Sequence, residues 1–369
     1  MAIPTISLEE LRQLLDRGAP VAVLDVRPAA ERAEWSIPGS VHIDAYDALR
    51  RGDPGALADF RPATAGPVVT VCTEGKTSLL AAERLLARGL DAVSLSGGMR
   101  AWSLAWNTAE VPIPGSSAQV VQVRRTGKGC LSYIVGSGGE AVVIDPSLDP
   151  QTYRELAGLR GWRIGTVIET HVHADHLSRA RALAAESGAA LRLPATDRGS
   201  FAYEPLRNGD AVSVGSAHLR AWHTPGHTPE STCYLLDVLA LFTGDTLFLG
   251  SVGRPDLEAT PDETRARTHR LHASLRRLAE LPDDTVVLPG HTGAPVAFDG
   301  RPLVSRLRVV RERTQLLRVE ESAFVTAVLE RIPPTPPNHH RIVALNETGT
   351  LPEGDPTELE AGANRCAIA

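Results

Sequence analysis

Three imidazoles and a carboxylate crowd into seven residues at Thr170-His171-Val172-His173-Ala174-Asp175-His176. Imidazoles two apart, then an Asp and a third imidazole at a helix start, let a short loop aim hard and borderline donors at one point. That donor set suits a first-row transition metal. Complementary donors follow in chain order: His227 in His-Thr-Pro-Gly-His-Thr, Asp245 in Phe-Thr-Gly-Asp-Thr and His291 in Pro-Gly-His. A second chemistry lies upstream, in Cys72-Thr73-Glu74-Gly75-Lys76-Thr77-Ser78. This segment sits between an apolar strand and a helical pattern. A loop so placed turns several backbone N–H groups inward, and the helix N-terminus adds a positive dipole. Together they would stabilise a thiolate or a cysteine persulfide anion. Lys76 would add positive charge there; an exposed lysine beside Glu74 is the plainer reading.

The elements that must position these residues can be read locally. Thr166-Val-Ile168 is strand-like and precedes the histidine loop, and a helical pattern runs from Leu177 to Ala185. Upstream, Ser7-Leu-Glu-Glu resembles a capping box opening a helix through Leu15. Val21–Leu24 and Val68–Val71 are apolar strands, and a helix follows from Ser78 to Arg88. This alternation predicts a parallel sheet covered by helices. A Pro/Gly/Ser stretch over residues 111–117 reads as a linker. Strand patterns restart at Val120–Val123, Leu131–Val135 and Ala141–Ile144. The expected division is a first domain over 1–110, a linker over 111–117, a metal domain over 118–300 and a helical extension with a tail over 301–369.

Composition narrows the partners. The 369 residues are 43% hydrophobic and 22% charged, as in globular proteins, and are too many for one small domain. A net charge of −6, without a dense Lys/Arg cluster, argues against nucleic acid. No apolar run reaches membrane-spanning length and no signal-peptide pattern opens the chain, so the expected location is the cytoplasm. Four scattered cysteines do not make a disulfide framework. Cys130 and Cys233 lie in apolar runs and read as inert core residues; Cys366 reads as part of a mobile tail. Of 38 basic residues only Lys76 and Lys128 are lysines. The isolated His42, His218, His269 and His272 read as surface or satisfied core residues, and His339-His340 as a solvated helix start.

Residues 118–300 resemble the metallo-β-lactamase superfamily. The resemblance implies an αββα sandwich with a metal site at one sheet edge. In the hydrolases of that superfamily the matching residues His171, His173, His227 and Asp245 hold one metal. Asp175, His176, Asp245 and His291 hold a second, and two zinc ions would make hydroxide available at neutral pH. In its persulfide dioxygenases, His171, His227 and Asp245 correspond to the ligands of one Fe(II), and His173, Asp175, His176 and His291 to groups that orient them. Gly253-Arg254-Pro-Asp256 resembles a segment of that second branch. Arg254 would suit a carboxylate of a thiol cosubstrate, or a structural salt bridge. The segment after His291 departs from both branches.

Residues 1–110 resemble a single-domain rhodanese, on the Cys72 loop together with Asp25-Val-Arg27, Ile37-Pro-Gly39 and Gly97-Gly-Met-Arg-Ala-Trp102. This implies an α/β fold with a parallel sheet and a persulfide on Cys72. A related phosphatase loop needs Arg six residues after the cysteine, where Ser78 stands, so that reading is poor. The expected function is therefore a persulfide dioxygenase coupled to sulfurtransfer. It would use one Fe(II), a low-molecular-weight thiol persulfide and O2, and release sulfite or thiosulfate; a homo-oligomer is allowed. Cys72, Lys76 and Asp175 are expected to carry chemistry, and Thr73, Glu74, Gly75, Thr77, Ser78 and Arg254 to contact substrate. The alternatives are a two-zinc thioesterase of the glyoxalase II type with an accessory rhodanese domain, and a rhodanese domain that only recruits.

Overall fold

The computed structural model describes residues 2–369. Apolar alternation drives the first domain. Ala22, Leu24 and Val68 enter one core and Val23, Val69 and Val71 another, so strands Ala22–Asp25 and Val68–Val71 are covered on both faces. Five strands pair in parallel, in the order Thr5–Ile6, Ala92–Leu95, Val68–Val71, Ala22–Asp25 and Val41–His42. The capping box at Ser7 and Glu10 is present and opens helix Leu8–Asp16.

The second domain is a sandwich of two sheets. One has seven strands, with Arg163–Ile168, Glu140–Ile144, Cys130–Ser137 and Gln119–Arg125 adjacent; the other has six, including Ala217–His223, Thr232–Leu236, Ala240–Gly244 and Val286–Pro289. Val120, Tyr133, Val135 and Ile144 of the first meet Leu219, Tyr234, Phe242 and Leu288 of the second in one core. Tyr133 and Phe242 pack edge to face, with centroids 4.9 Å apart. Helices Pro150–Gly158 and Ala180–Ser187 cover the outer face of the first sheet, and Pro261–Leu278 that of the second. The sandwich is αββα.

One boundary differs from the sequence reading. Asn107–Val111 pairs along its length with Gln119–Arg125, so residues 112–118 form a hairpin loop of the second domain's sheet and not an interdomain linker. The reason is tertiary: the strand finds its ladder partner in the other domain. The C-terminal stretch packs on the metal domain. Ser305–Arg306 is an edge strand, helix Glu321–Glu330 packs on Pro261–Leu278, and Ala367–Ile368 pairs with Val252–Gly253. The domains dock firmly: Arg125 Nε donates to the Ser103 carbonyl (2.8 Å), Thr126 Oγ1 to the Ala105 carbonyl (3.1 Å), and Trp102 packs on Phe298. Among the described residues no helix is long and apolar enough to cross a membrane.

Candidate metal centre and sulfur-transfer loop

The histidine loop leaves the C-terminal end of strand Arg163–Ile168 and is fastened before it presents any donor. Asp145 accepts from the Thr170 amide (2.6 Å) and from Thr170 Oγ1 (2.8 Å). Asp145 does so in the left-handed region, at φ 50°. Tyr234 Oη donates to the Glu169 carbonyl at 2.6 Å, and the Thr232 amide to the Thr170 carbonyl at 2.9 Å. Three further loops arrive at the same edge: His227 follows Ala217–His223, Asp245 follows Ala240–Gly244, and His291 follows Val286–Pro289. Gly253 has no room for a side chain: a Cβ there would lie 1.8 Å from the Asp245 carbonyl oxygen.

All seven expected metal-site residues converge, each at most 3% exposed. They fall into two groups. His171 Nε2 and His227 Nε2 stand 3.9 and 3.7 Å from Asp245 Oδ2, too far for hydrogen bonds. Two donors that each bind one ion at ~2.1 Å can be up to ~4.2 Å apart, so this spacing fits a shared ion. The far nitrogens are committed, His171 Nδ1 to Thr170 Oγ1 (2.9 Å) and His227 Nδ1 to the Arg254 carbonyl (2.6 Å). The carbonyl can only accept, so His227 carries its proton on Nδ1 and offers the Nε2 lone pair. Burial, and for His171 the neighbouring imidazoles, hold both rings below the usual imidazole range, hence neutral.

The other three imidazoles engage carboxylates. His173 Nε2 meets Glu169 at 2.8 Å and Asp145 at 3.4 Å; His176 Nδ1 meets Asp175 at 3.0 Å. His291 bridges Asp245 (2.5 Å) and Asp175 (2.9 Å) through its two nitrogens. Burial opposes charge on His173 and His291, yet the facing carboxylates outweigh it and raise both well above the ordinary range. His173 Nδ1, His176 Nε2 and Asp245 Oδ2 are buried without hydrogen-bond partners. Orphaned polar atoms in such a number are costly and mark where a cation would satisfy them. The donor set fits a transition metal.

Three sequence readings are corrected here. Cys130 is not inert: its Sγ lies 3.5 Å from Asp175 Oδ2 and 3.7 Å from His176 Nδ1. Burial and Asp175 would raise its thiol, but His176 and His291 prevail and lower it to about 7. Cys366 is not on a mobile tail. It is 1% exposed, with Sγ within 4.8 Å of donor atoms of Asp245 and His291, and burial pushes its thiol up. Asn364 Nδ2 donates to Asp175 at 3.2 Å. Arg254, expected at a cosubstrate carboxylate, is fully buried. It is ion-paired with Asp256 (2.7 Å) and donates to the carbonyls of Pro333, Pro334 and Arg365, so it fastens the C-terminal segment. Cys130 and Cys366 escaped detection because their contacts span tens to hundreds of residues. Cys233 is buried with its thiol pushed up to about 11, as a core residue should be.

The Cys72 loop joins strand Val68–Val71 to helix Lys76–Ala87. Gly75 makes the turn at φ 86°. The Met99 amide donates to the Cys72 carbonyl (2.8 Å) and the Arg100 amide to that of Thr73 (3.0 Å). Gly98 permits this approach, since a Cβ there would lie 2.1 Å from the Cys72 carbonyl oxygen. Cys72 Sγ contacts Ser78 Oγ at 3.4 Å, and Ser78 leans on Ser94 at 2.8 Å. Thr77 is buried beside Ser78 in the first helical turn. Thr73 Oγ1 donates to Glu31 at 2.6 Å, and Glu74 pairs with Arg100 at 2.7 Å. Lys76 departs from expectation. Its side chain is 85% exposed and ion-paired with Glu74 at 2.9 Å, so it is a surface lysine and not part of an anion cradle.

Sequence comparison agrees with this architecture. Residues 7–105 match the rhodanese-like domain and residues 125–291 the metallo-beta-lactamase superfamily. Across 201 residues the chain is 34% identical to a hydroxyacylglutathione hydrolase of Methylococcus capsulatus, covering 53% of this chain and 75% of that one. The chain belongs to the metallo-beta-lactamase superfamily. A further superfamily relative, a hydroxyacylglutathione hydrolase of Polaromonas sp., is 36% identical over 42% of this chain, which spans only 57% of that protein. Among solved structures, a metallo-beta-lactamase from Staphylococcus aureus superposes with a TM-score of 0.58 at 27% identity, over 64% of this chain and 74% of that one. ETHE1 from Myxococcus xanthus superposes at 0.54 and 29% identity, over 62% of this chain and 98% of its own.

Proposed function

We propose that this protein oxidises a low-molecular-weight thiol persulfide with O2 at a single iron, and carries sulfane sulfur on Cys72. The observation that carries this reading is the division of the metal-site residues. The Nε2 atoms of His171 and His227 face Asp245 Oδ2 together, while His173 and His176 each keep one free nitrogen on a ring that faces a carboxylate, and His291 faces Asp175 and Asp245 through both of its own. A triad of two imidazoles and one carboxylate leaves open positions on an iron(II) ion, which would supply the redox chemistry that O2 requires. The chain's own part is to fix donors and direct charge. Thr170 and the Arg254 carbonyl hold the two ligand rings, and His291 holds Asp245. The companion domain supports a sulfur substrate, because its Cys72 loop has backbone N–H groups and a helix start rather than a phosphatase arginine.

Hydroxyacylglutathione hydrolases among the relatives favour a second reading, thioester hydrolysis at two zinc ions. All seven donor residues for such a pair are in place. One experiment separates the two. Protein reconstituted anaerobically with iron is given glutathione persulfide or coenzyme A persulfide, and oxygen consumption and sulfite are followed. Rapid uptake with sulfite is expected. No uptake with either persulfide, alongside cleavage of a glutathione thioester by the zinc form, would replace the dioxygenase by the hydrolase.

A further inference from the structure

The C-terminal segment delivers one side chain to the histidine loop, and the backbone around that side chain is stitched in place. Ala367–Ile368 pairs with Val252–Gly253. The Arg254 amide donates to the Cys366 carbonyl (3.0 Å) and the Arg254 guanidinium to the Arg365 carbonyl (3.1 Å). Ile368, 1% exposed, enters the core that holds Leu271 and Phe324. Register and depth of the segment are thereby set, and Asn364 comes to lie half-buried against Asp175. The orientation of its amide follows from its partners. The Cys366 backbone N–H donates to Asn364 Oδ1 at 3.0 Å. An N–H can only donate, so the amide oxygen faces it and Nδ2 donates to Asp175 Oδ2 at 3.2 Å.

From Asp175 the contacts continue inward. Asp175 Oδ2 lies 2.9 Å from His291 Nε2, and His291 Nδ1 lies 2.5 Å from Asp245 Oδ1. Asp245 Oδ2 is the atom that faces His171 and His227. Asp175, His291 and Asp245 are each at most 3% exposed, so water cannot stand in for a lost partner. The other oxygen of Asp175 is held by His176 Nδ1 at 3.0 Å. The remaining neighbour of Oδ2, the Cys130 thiol at 3.5 Å, is a weak donor. We propose that Asn364 is a positioning residue of the metal centre: through Asp175 and His291 it fixes the carboxylate of Asp245. The proposal rests on the reading above that places an ion among His171, His227 and Asp245. Asn364 also lines, with His291 and Phe248, a cavity of about 230 Å³, so contact with substrate is the competing role.

The test compares full-length variants loaded with Co(II), without substrate, by their visible d–d spectra and by cobalt affinity from chelator competition. Asn364→Ala removes the donor to Asp175. Asn364→Asp keeps an acceptor for the Cys366 amide but sets a second carboxylate against Asp175, which repels it. Both should alter the band pattern and weaken cobalt binding about tenfold, the scale for groups that orient metal ligands. Arg365→Ala removes the neighbouring ion pair with Glu34 and leaves the carbonyl that Arg254 holds, so spectrum and affinity should stay as in the wild type. Wild-type bands and affinity in both Asn364 variants would overturn the proposal. An equal change in Arg365→Ala would do so too, because a general loosening of the segment would then suffice. In the iron form, kcat for O2 uptake should fall with the persulfide KM little changed. A raised KM with unaltered cobalt bands would make Asn364 a substrate contact instead. Absence of O2 uptake from the wild type would refute the dioxygenase, while the cobalt comparison still decides on Asn364.

Discussion

Glu360 offers a direct test of how the C-terminal segment supports the metal loop. It is completely buried and accepts from Arg125 (2.7 Å), from Arg179 (3.4 Å) and from the Leu177 amide (2.7 Å) beside His176. Glu360→Ala strands two buried guanidiniums and one amide. Breaking a buried pair from one side costs about 3–5 kcal/mol, a large share of the roughly 5–15 kcal/mol that holds a protein folded. With a urea slope of about 2–3 kcal/mol/M, the midpoint should fall by roughly 1–2.5 M, read by the fluorescence of the buried Trp102. Glu360→Gln keeps the shape and the Leu177 bond, so it should lose only about 1.5–3 kcal/mol, the worth of hydrogen bonds to charged groups. The pH dependence has a definite sign. Burial would raise this carboxyl, but Arg125 and Arg179 hold it below the usual range. Its contribution is therefore complete above an unfolded value of about 4.3 and is lost as pH falls through the lower folded value. Iron content should drop as well, because the Leu177 amide holds the loop behind His176. A Glu360→Ala protein that unfolds at the wild-type urea concentration would refute the reasoning.

Asp245→Ala removes the carboxylate that faces both ligand imidazoles, and it should abolish oxygen uptake and metal retention while thiosulfate:thiol transfer by Cys72 persists. Gly98→Ala should do the reverse. Its Cβ would meet the Cys72 carbonyl at 2.1 Å, so sulfurtransfer should fall at least about tenfold, the cost of ~1.4 kcal/mol of misplacement, with metal content unchanged by elemental analysis. Arg254→Ala should release the C-terminal segment to limited proteolysis, because four carbonyl or carboxylate partners lose their donor. If the thiol KM rose and the segment stayed protected, Arg254 would be a substrate group after all.

Much of the site was legible because its chemistry is locally written. The donors His171, His173, Asp175 and His176 lie in one loop, and His227, Asp245 and His291 each follow a strand, so residue type and strand ends sufficed. The Cys72 loop was legible for the same reason: strand, turn and helix are consecutive. The seven donors and the two-domain order were therefore available from sequence alone. Which nitrogen of each imidazole a carboxylate claims was not. Glu169 and Asp145 claim His173, and His291 lies between Asp175 and Asp245, through contacts that only the folded sandwich creates. Cys130 and Cys366 looked like core and tail, because thiol environment depends on neighbours far along the chain. Arg254 and Lys76 lost their expected roles to burial and ion pairing, which no local pattern encodes. Short-range spacing thus determined the chemistry, and long-range burial decided what each charged group is free to do.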